Sequence, residues 1–145
     1  GGYRYLNQED REIGFRSYFR EKEPAFKVLE SVVCLDDPDL AYEKTRHLLT
    51  KYPDLIGLYS AGGGSTGTRR TIIASPRAGQ LFYVSPELTP YIRNDLIQGA
   101  VSLVISPDIS QVAYSTVSML LEVKQRPGNK KSTILPFSLY TSENI

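Results

Sequence analysis

The sequence predicts an α/β fold with a mainly parallel sheet and helices on both faces. Short apolar runs rich in β-branched residues alternate along the chain with longer amphipathic stretches, and turn-forming residues separate the two kinds of segment. This alternation is typical of right-handed strand-helix-strand units, whose parallel strands are covered by helices. The chain has 145 residues, 41% of them hydrophobic, which suits one globular domain.

Periodicity and end signals give the order of the elements. An N-cap side chain directly before a proline marks two helix starts, at Asp37 with Pro38 and at Thr89 with Pro90. Pro136 lies inside the last extended run and predicts an edge strand or a loosely paired tail. The predicted helices cover residues 8–22, 39–52, 66–75, 90–98 and 109–125. The predicted strands cover residues 26–34, 55–60, 81–85, 100–106 and 132–140.

Composition argues against several classes of protein. Seventeen basic and 16 acidic residues give a net charge of +1, which does not suit general nucleic-acid binding. No apolar run approaches the roughly 18 residues of a membrane span, so no membrane partner is expected. Cys34 is the only cysteine, which excludes an internal disulfide and favours a reducing, cytoplasmic location. The first run, "GGYRYLNQEDREI", lacks the apolar segment of a signal peptide.

Patterns typical of catalysis or metal binding are also missing. The only histidine, His47, falls in the middle of a predicted helix, and Ser65 has no evident base, so no enzyme is predicted. The acidic run at 36–39 lacks metal-ligand spacing and is interpreted as a helix-start cluster, so neither a metal nor another cofactor is expected. A hydrolase using Ser65 or Glu87 remains the least favoured hypothesis.

The run "AGGGSTG" follows a predicted strand and opens a predicted helix. Consecutive glycines lack Cβ atoms, and N–H groups entering a helix can bind a phosphate, a carboxylate or a sugar hydroxyl. It is not a Walker loop, because Thr68 and Arg69 follow where Lys and then Ser or Thr are needed. Gly62, Gly64 and Gly67 fit the spacing of a dinucleotide fingerprint, which stays open as an alternative, as does a tight turn without a ligand.

Three candidate sites lie at the ends of predicted strands, at 61–65, 85–87 and 106–108. The carboxyl ends of parallel strands share one edge of a sheet, and ligands of open α/β sheets bind there. Arg11, near the start of the first helix, could join them. A guanidinium and carboxylates can each hydrogen-bond two hydroxyls of a polyhydroxylated ligand. An alternative interpretation gives these residues no role in ligand binding: Glu87 and Asp108 are then acids at helix starts, and Arg11 is a solvated helix residue.

Three runs in order resemble the C-terminal half of the effector domain of lactose-repressor (LacI) type transcription regulators. They are "DREIGFRSYFREKEP", "LDDPDLAYEKTRHLLTKYPDLIGLYSAGGGSTG" and "FYVSPELTPYIRNDLIQGAVSLVISPDISQVAYSTVSMLLEV". The resemblance covers about residues 9–139, rests mainly on order and spacing, and extends to type I periplasmic sugar-binding proteins, which share the fold. It implies one subdomain of a type I periplasmic-binding-protein-like fold. In that family two subdomains close over a sugar or related ligand, and closure alters how a separate headpiece holds DNA.

The resemblance implies particular site residues. Arg11, in an Arg-x-x-Gly-Phe run, matches an arginine that commonly contacts the ligand, and Glu87 matches a frequent acidic contact. The chain departs from the usual residues at Ser60-Ala61, Ser85-Pro86 and Ser106-Pro107. The predicted ligand-binding residues are Arg11, Ser60, Ala61, Gly62, Gly63, Glu87 and Asp108.

The resemblance also implies a division of the chain. Residues 1–105 are expected to form the C-terminal subdomain, 106–130 a crossover helix that packs on a first subdomain outside this chain, and 131–145 a return strand and tail. The apolar stripe of that helix predicts a homo-oligomer. The leading hypothesis is a sugar-sensing fragment of a cytoplasmic LacI-type regulator, which reaches DNA only through a headpiece. The alternative is a solute-binding protein of a sugar ABC transporter.

Overall fold

The computed structural model describes residues 5–125 and 132–145, and these residues form helices around a four-stranded sheet of order β1-β2-β3-β4. The first three strands are parallel, and β4 runs antiparallel to β3. This arrangement confirms the predicted α/β class with a mainly parallel sheet. The strands are β1 at Gly57–Tyr59, β2 at Phe82–Ser85, β3 at Leu103–Pro107 and β4 at Phe137–Tyr140.

The helices begin close to the predicted positions. They are α1 at Leu6–Lys22, α2 at Pro38–Lys51, α3 at Ser65–Ala74, α4 at Pro90–Ile97 and α5 at Ile109–Gln125. The carboxylate of Asp37 accepts hydrogen bonds from two backbone N–H groups of the first turn of α2, at 2.8 and 2.9 Å. The hydroxyl of Thr89 accepts one from Ile92 at the start of α4, at 3.2 Å. Both predicted N-caps are therefore confirmed.

The core lies between one face of the sheet and helices α2, α3 and α4. Its buried apolar members are Leu49, Ile72, Leu81, Tyr83, Ile92, Leu96, Val101 and Val104. The opposite face carries α1, where the ring of Phe15 stacks on that of Tyr59 with centroids 4.8 Å apart. Helices therefore cover both faces, as the sequence predicts.

The prediction of a strand at residues 26–34 is wrong. In the structure these residues form no strand. Side chains of the flanking helices form hydrogen bonds with two carbonyl groups of this stretch. Arg16 donates to Leu29 O at 2.9 Å, and Lys44 donates to Val33 O at 2.6 Å. We call residues 26–34 the edge segment, because they lie beside β1 across a cleft instead of pairing with it.

The last helix and strand carry much exposed apolar surface. None of the residues of α5 is buried, and Tyr114 on it is 76% exposed. The predicted extended run at 132–140 forms a strand in its last four residues, at the edge of the sheet and directly after Pro136. The predicted helix stop at 126–131 lies outside the described residues, and the division at residues 105 and 130 stays a prediction. None of the helices described is long and apolar enough to cross a membrane.

Candidate functional site

The candidate site begins where β1 ends. The N–H of Ser60 donates to Val84 O at 3.0 Å, so pairing with β2 continues one residue beyond β1. The chain then turns through 61–64 into α3, and Gly64 forms the N-cap with a φ of 83°. A left-handed backbone at this position favours glycine. The loop therefore lies at the carboxyl edge of the parallel strands, as the sequence predicts.

Arg11 brings α1 to this loop. Its guanidinium donates a hydrogen bond to Ala61 O at 3.0 Å, across 50 residues of sequence. Burial raises the pKa of Tyr59 in β1, and the positive charge of Arg11 acts in the opposite direction. A guanidinium has five N–H donors, so this bond leaves donors for other acceptors. The structure thus gathers Arg11 with Ser60, Ala61 and the two glycines that follow.

The glycines of the loop make room for the protein's own side chains. A Cβ atom on Gly62 would lie 2.2 Å from the side chain of Gln8, and one on Gly63 would lie 1.8 Å from Asp36 Oδ1. A Cβ atom on Gly64 would lie 2.5 Å from Cys34 Sγ. The expectation that these glycines leave space for a ligand is therefore incomplete, because the side chains of Gln8 and Asp36 already occupy that space.

Sequence reasoning missed Gln8 and Asp36 as neighbours of the loop. The sequence places Asp36 in a helix-start cluster, but its backbone and that of Leu35 have positive φ values of 61° and 54°. Such values are uncommon outside glycine and turn the chain back towards the loop. No spacing pattern in the sequence signals this turn.

The two predicted carboxylates lie elsewhere on the strand-end edge. Asp108 caps α5, because its Oδ1 accepts from the N–H groups of Ser110 at 2.8 Å and Gln111 at 3.2 Å. Glu87 is exposed in the loop between β2 and α4. The capping interpretation of Asp108 therefore holds in the structure, and its role in ligand binding stays a prediction, as does that of Glu87.

A cleft of about 560 Å³ opens between α1, the edge segment and β1. Most of its lining is apolar, with Phe15, Phe19 and Phe26 among the rings. Its lining also includes the run from Ser60 to Gly63, whereas Arg11, Glu87 and Asp108 are not among the described residues that line it. The cleft and the predicted polar site thus overlap at the glycine loop and differ elsewhere.

A polar network lies beneath the loop in the otherwise apolar core. The hydroxyl groups of Tyr83 and Ser60 are 3.1 Å apart, and Tyr83 is fully buried. Nearby, Arg69 on α3 forms a two-pronged ion pair with Asp95 on α4, in which NH2 donates to Oδ1 at 2.8 Å. Buried polar groups of this kind are costly unless they are satisfied. The ion pair joins α3 and α4, the helices that follow the strand-end loops after β1 and β2.

The histidine and the serine considered for catalysis lie on different helices. His47 is exposed in the middle of α2, and Ser65 is the first residue of α3. Among residues 5–125 and 132–145, no group of three or more His, Cys, Asp or Glu side chains could hold a metal ion. The groups at this edge that can form hydrogen bonds are a guanidinium cation, hydroxyl groups and backbone amides.

The parallel sheet, its covering helices and the strand-end edge define a periplasmic-binding-protein-like fold. The chain belongs to the periplasmic binding protein domain family, which it matches over residues 1–130. None of the curated proteins matches the chain at a significant level.

Solved structures share this fold. An ABC transporter solute-binding protein from Agrobacterium vitis, bound with alpha-D-tagatopyranose, has a TM-score of 0.86 and 20% identity over 94% of this chain and 46% of that one. A carbohydrate transporter solute-binding protein from Agrobacterium radiobacter, in complex with D-arabinose, has a TM-score of 0.84 and 17% identity, over 94% and 46%. GanP, a glucose-galactose binding protein from Geobacillus stearothermophilus, has a TM-score of 0.79 and 16% identity, over 91% and 47%. The chain therefore spans about half the length of these structures.

Proposed function

We propose that the chain forms one lobe of a two-lobed protein that binds a sugar or a related polyhydroxylated ligand without catalysis. The observation that carries this proposal is the contact of Arg11 with Ala61 O at the carboxyl edge of the sheet. It brings a guanidinium, the Ser60 hydroxyl and a glycine loop to the edge where ligands of open α/β sheets bind. Groups of this kind hydrogen-bond the hydroxyls of a polar ligand and fix its orientation.

Two biological settings fit this lobe. The solved structures of similar fold include solute-binding proteins of sugar transporters, which supports the role of a solute-binding protein. The order of elements and the positions of Arg11 and Glu87 support the second candidate, a cytoplasmic LacI-type regulator that contacts DNA through a separate headpiece. The residues that precede this chain in its gene discriminate between them. An export signal supports the first setting, and a helix-turn-helix supports the second.

The exposed face of α5 supports a further part of the proposal, that this chain on its own self-associates. Val117 and Leu121 on this helix are each more than half exposed, and leaving such apolar surface in water is unfavourable at about 25 cal/mol per Å². We expect light scattering of the chain at micromolar concentration to give a mass above that of a monomer. A monodisperse monomer would contradict this part.

A thermal-shift screen of the full-length protein tests ligand binding. Three sugars bound in solved structures of this fold are the probes: D-tagatose, D-arabinose and D-fucose. We expect one of them to raise the melting temperature with concentration, because a ligand at 100 times its Kd stabilises the folded state by about 2.7 kcal/mol. Arg11→Ala should reduce this shift. Arg20→Ala, which removes an exposed arginine from the same helix, should leave it unchanged. A screen without any shift, or an equal shift in Arg11→Ala, would contradict the proposal.

A further inference from the structure

The hydroxyl of Tyr83 is not explained by packing. The Tyr83 ring lies in a cluster whose other members are Leu, Ile and Val side chains, and Tyr83 is 0% exposed. A phenylalanine would fill nearly the same volume without a hydroxyl to desolvate. A buried hydroxyl in such a setting is retained at a cost in stability unless it is hydrogen-bonded. Its hydrogen-bond partner therefore indicates what the hydroxyl does.

The partner that reaches the surface is Ser60, the last residue before the glycine loop. The two oxygen atoms are 3.1 Å apart, and Ser60 is half-buried and lines the open cleft. Burial raises the pKa of Tyr83, while hydrogen bonding by Ser60 and by Ser85 acts in the opposite direction. The Ser85 hydroxyl is itself 0% exposed, so it provides no route from the phenol to the cleft. Ser60 is thus the group through which the buried phenol reaches the surface.

We propose that Tyr83 is a positioning residue that fixes the Ser60 hydroxyl as a hydrogen-bond donor to an oxygen of a polyhydroxylated ligand. This inference rests on the function proposed above and adds a specificity-determining pair to its site. The backbone of Ser60 is held by its bond to Val84 O, and the hydroxyl of Tyr83 holds its side chain. The two bonds together anchor the residue from which the glycine loop begins, so the loss of either one loosens the loop.

The direction of the hydrogen bond follows from acidity. Each hydroxyl can donate one proton and accept on its lone pairs. The phenol is the stronger acid of the two, so the favoured arrangement has Tyr83 donating to Ser60 Oγ. The proton of Ser60 is then left for an acceptor in the cleft, such as a sugar ring or hydroxyl oxygen. Without the phenol, Ser60 loses this bias and its fixed rotamer.

The test combines a double-mutant cycle with a measurement that needs no ligand. Tyr83→Phe, Ser60→Ala and the double variant are made in the full-length protein, with Tyr91→Phe as the matched control. Tyr91 is 69% exposed, and phenylalanine keeps the ring that contacts Arg69. Amide hydrogen exchange is measured at residues 60–64, and Kd is measured for D-tagatose, D-arabinose and D-fucose.

We expect Tyr83→Phe to speed exchange at 60–64 and to weaken binding of the preferred sugar, each by about fivefold, the factor for one neutral hydrogen bond. In the Ser60→Ala background, Tyr83→Phe should have no further effect on Kd, because the two hydroxyls act as one unit. Tyr91→Phe should match the wild type in both measurements.

Different results would contradict the positioning role of Tyr83 and the proposed sugar-binding function. Unchanged exchange at 60–64 in Tyr83→Phe, or additive losses of affinity in the double variant, would overturn the positioning role of Tyr83. Failure of the wild-type protein to bind any of the three sugars would contradict the proposed function and the role of Ser60 as donor, whatever the exchange result.

Discussion

The packing of α3 on α2 makes a specific prediction about Gly67. A Cβ atom at this position would lie 1.9 Å from Pro38 O and 2.7 Å from the backbone nitrogen of Tyr42. Both neighbours are backbone atoms, so the clash cannot be relieved by a side-chain rotation and α2 must move. Overpacking of this kind costs about 1–3 kcal/mol. We therefore expect Gly67→Ala to lower the free energy of unfolding by that amount, although alanine favours a helix.

Gly14 provides the matched control for this change. It also lies within a helix, α1, but a Cβ atom there would meet nothing within 4 Å. Gly14→Ala should therefore raise the free energy of unfolding by about 0.5–1 kcal/mol, the intrinsic gain of alanine over glycine in a helix. The assay is urea denaturation followed by circular dichroism. If Gly67→Ala is as stable as Gly14→Ala with an unchanged m value, α2 and α3 do not pack as described.

Two further predictions concern charged groups. Arg69→Met leaves the Asp95 carboxylate, 3% exposed, without its cation, and we expect the free energy of unfolding to fall by about 3–5 kcal/mol. Arg70→Met, next to it on α3, removes an exposed pair and should cost about 0–1 kcal/mol; equal losses in urea would contradict the buried network. Ser31→Ala removes the hydrogen bond that lowers the pKa of Glu12. Because the folded-state pKa is depressed, this contact stabilises the fold above the ordinary glutamate pKa, and the stability is lost as pH falls through the folded value. Unfolding measured at several pH values should therefore show a shallower acid-side loss in Ser31→Ala, and identical profiles would contradict the contact.

Local signals in the sequence predicted much of the fold. The caps at Asp37 and Thr89 depend on residues within one helical turn, and both appear in the structure. The apolar runs that form β2 and β3 are also predicted correctly as strands. Each of these two strands lies between two other strands of this chain, so its backbone groups find partners. Where the information is local, the sequence suffices.

The edge segment shows where local information fails. Its β-branched residues favour a strand, but a strand also needs a partner edge for its backbone groups. Arg16 and Lys44 take two of its carbonyl oxygens, and neither contact follows from any spacing in the sequence. Strand propensity describes fit to a sheet surface and does not decide whether pairing occurs.

The sequence predicted where the candidate site lies on the sheet but not which side chains surround it. The order of strands put the glycine loop at the carboxyl edge, and the arginine expected there does reach it. The side chains of Gln8 and Asp36 that fill the space beside the glycines come from distant parts of the chain. The pairing of Tyr83 with Ser60 likewise depends on the register between β1 and β2. Such contacts exist only once the tertiary structure does.

A ligand footprint by amide hydrogen exchange shows whether a sugar binds at the carboxyl edge of the sheet. The full-length protein is compared with and without a saturating concentration of whichever of the three sugars gives the largest thermal shift. If the sugar binds there, exchange slows in the glycine loop at 60–64 and at the start of α1 around Arg11. Slower exchange at residues 26–34 alone, or no change anywhere in the chain, would contradict binding at this edge.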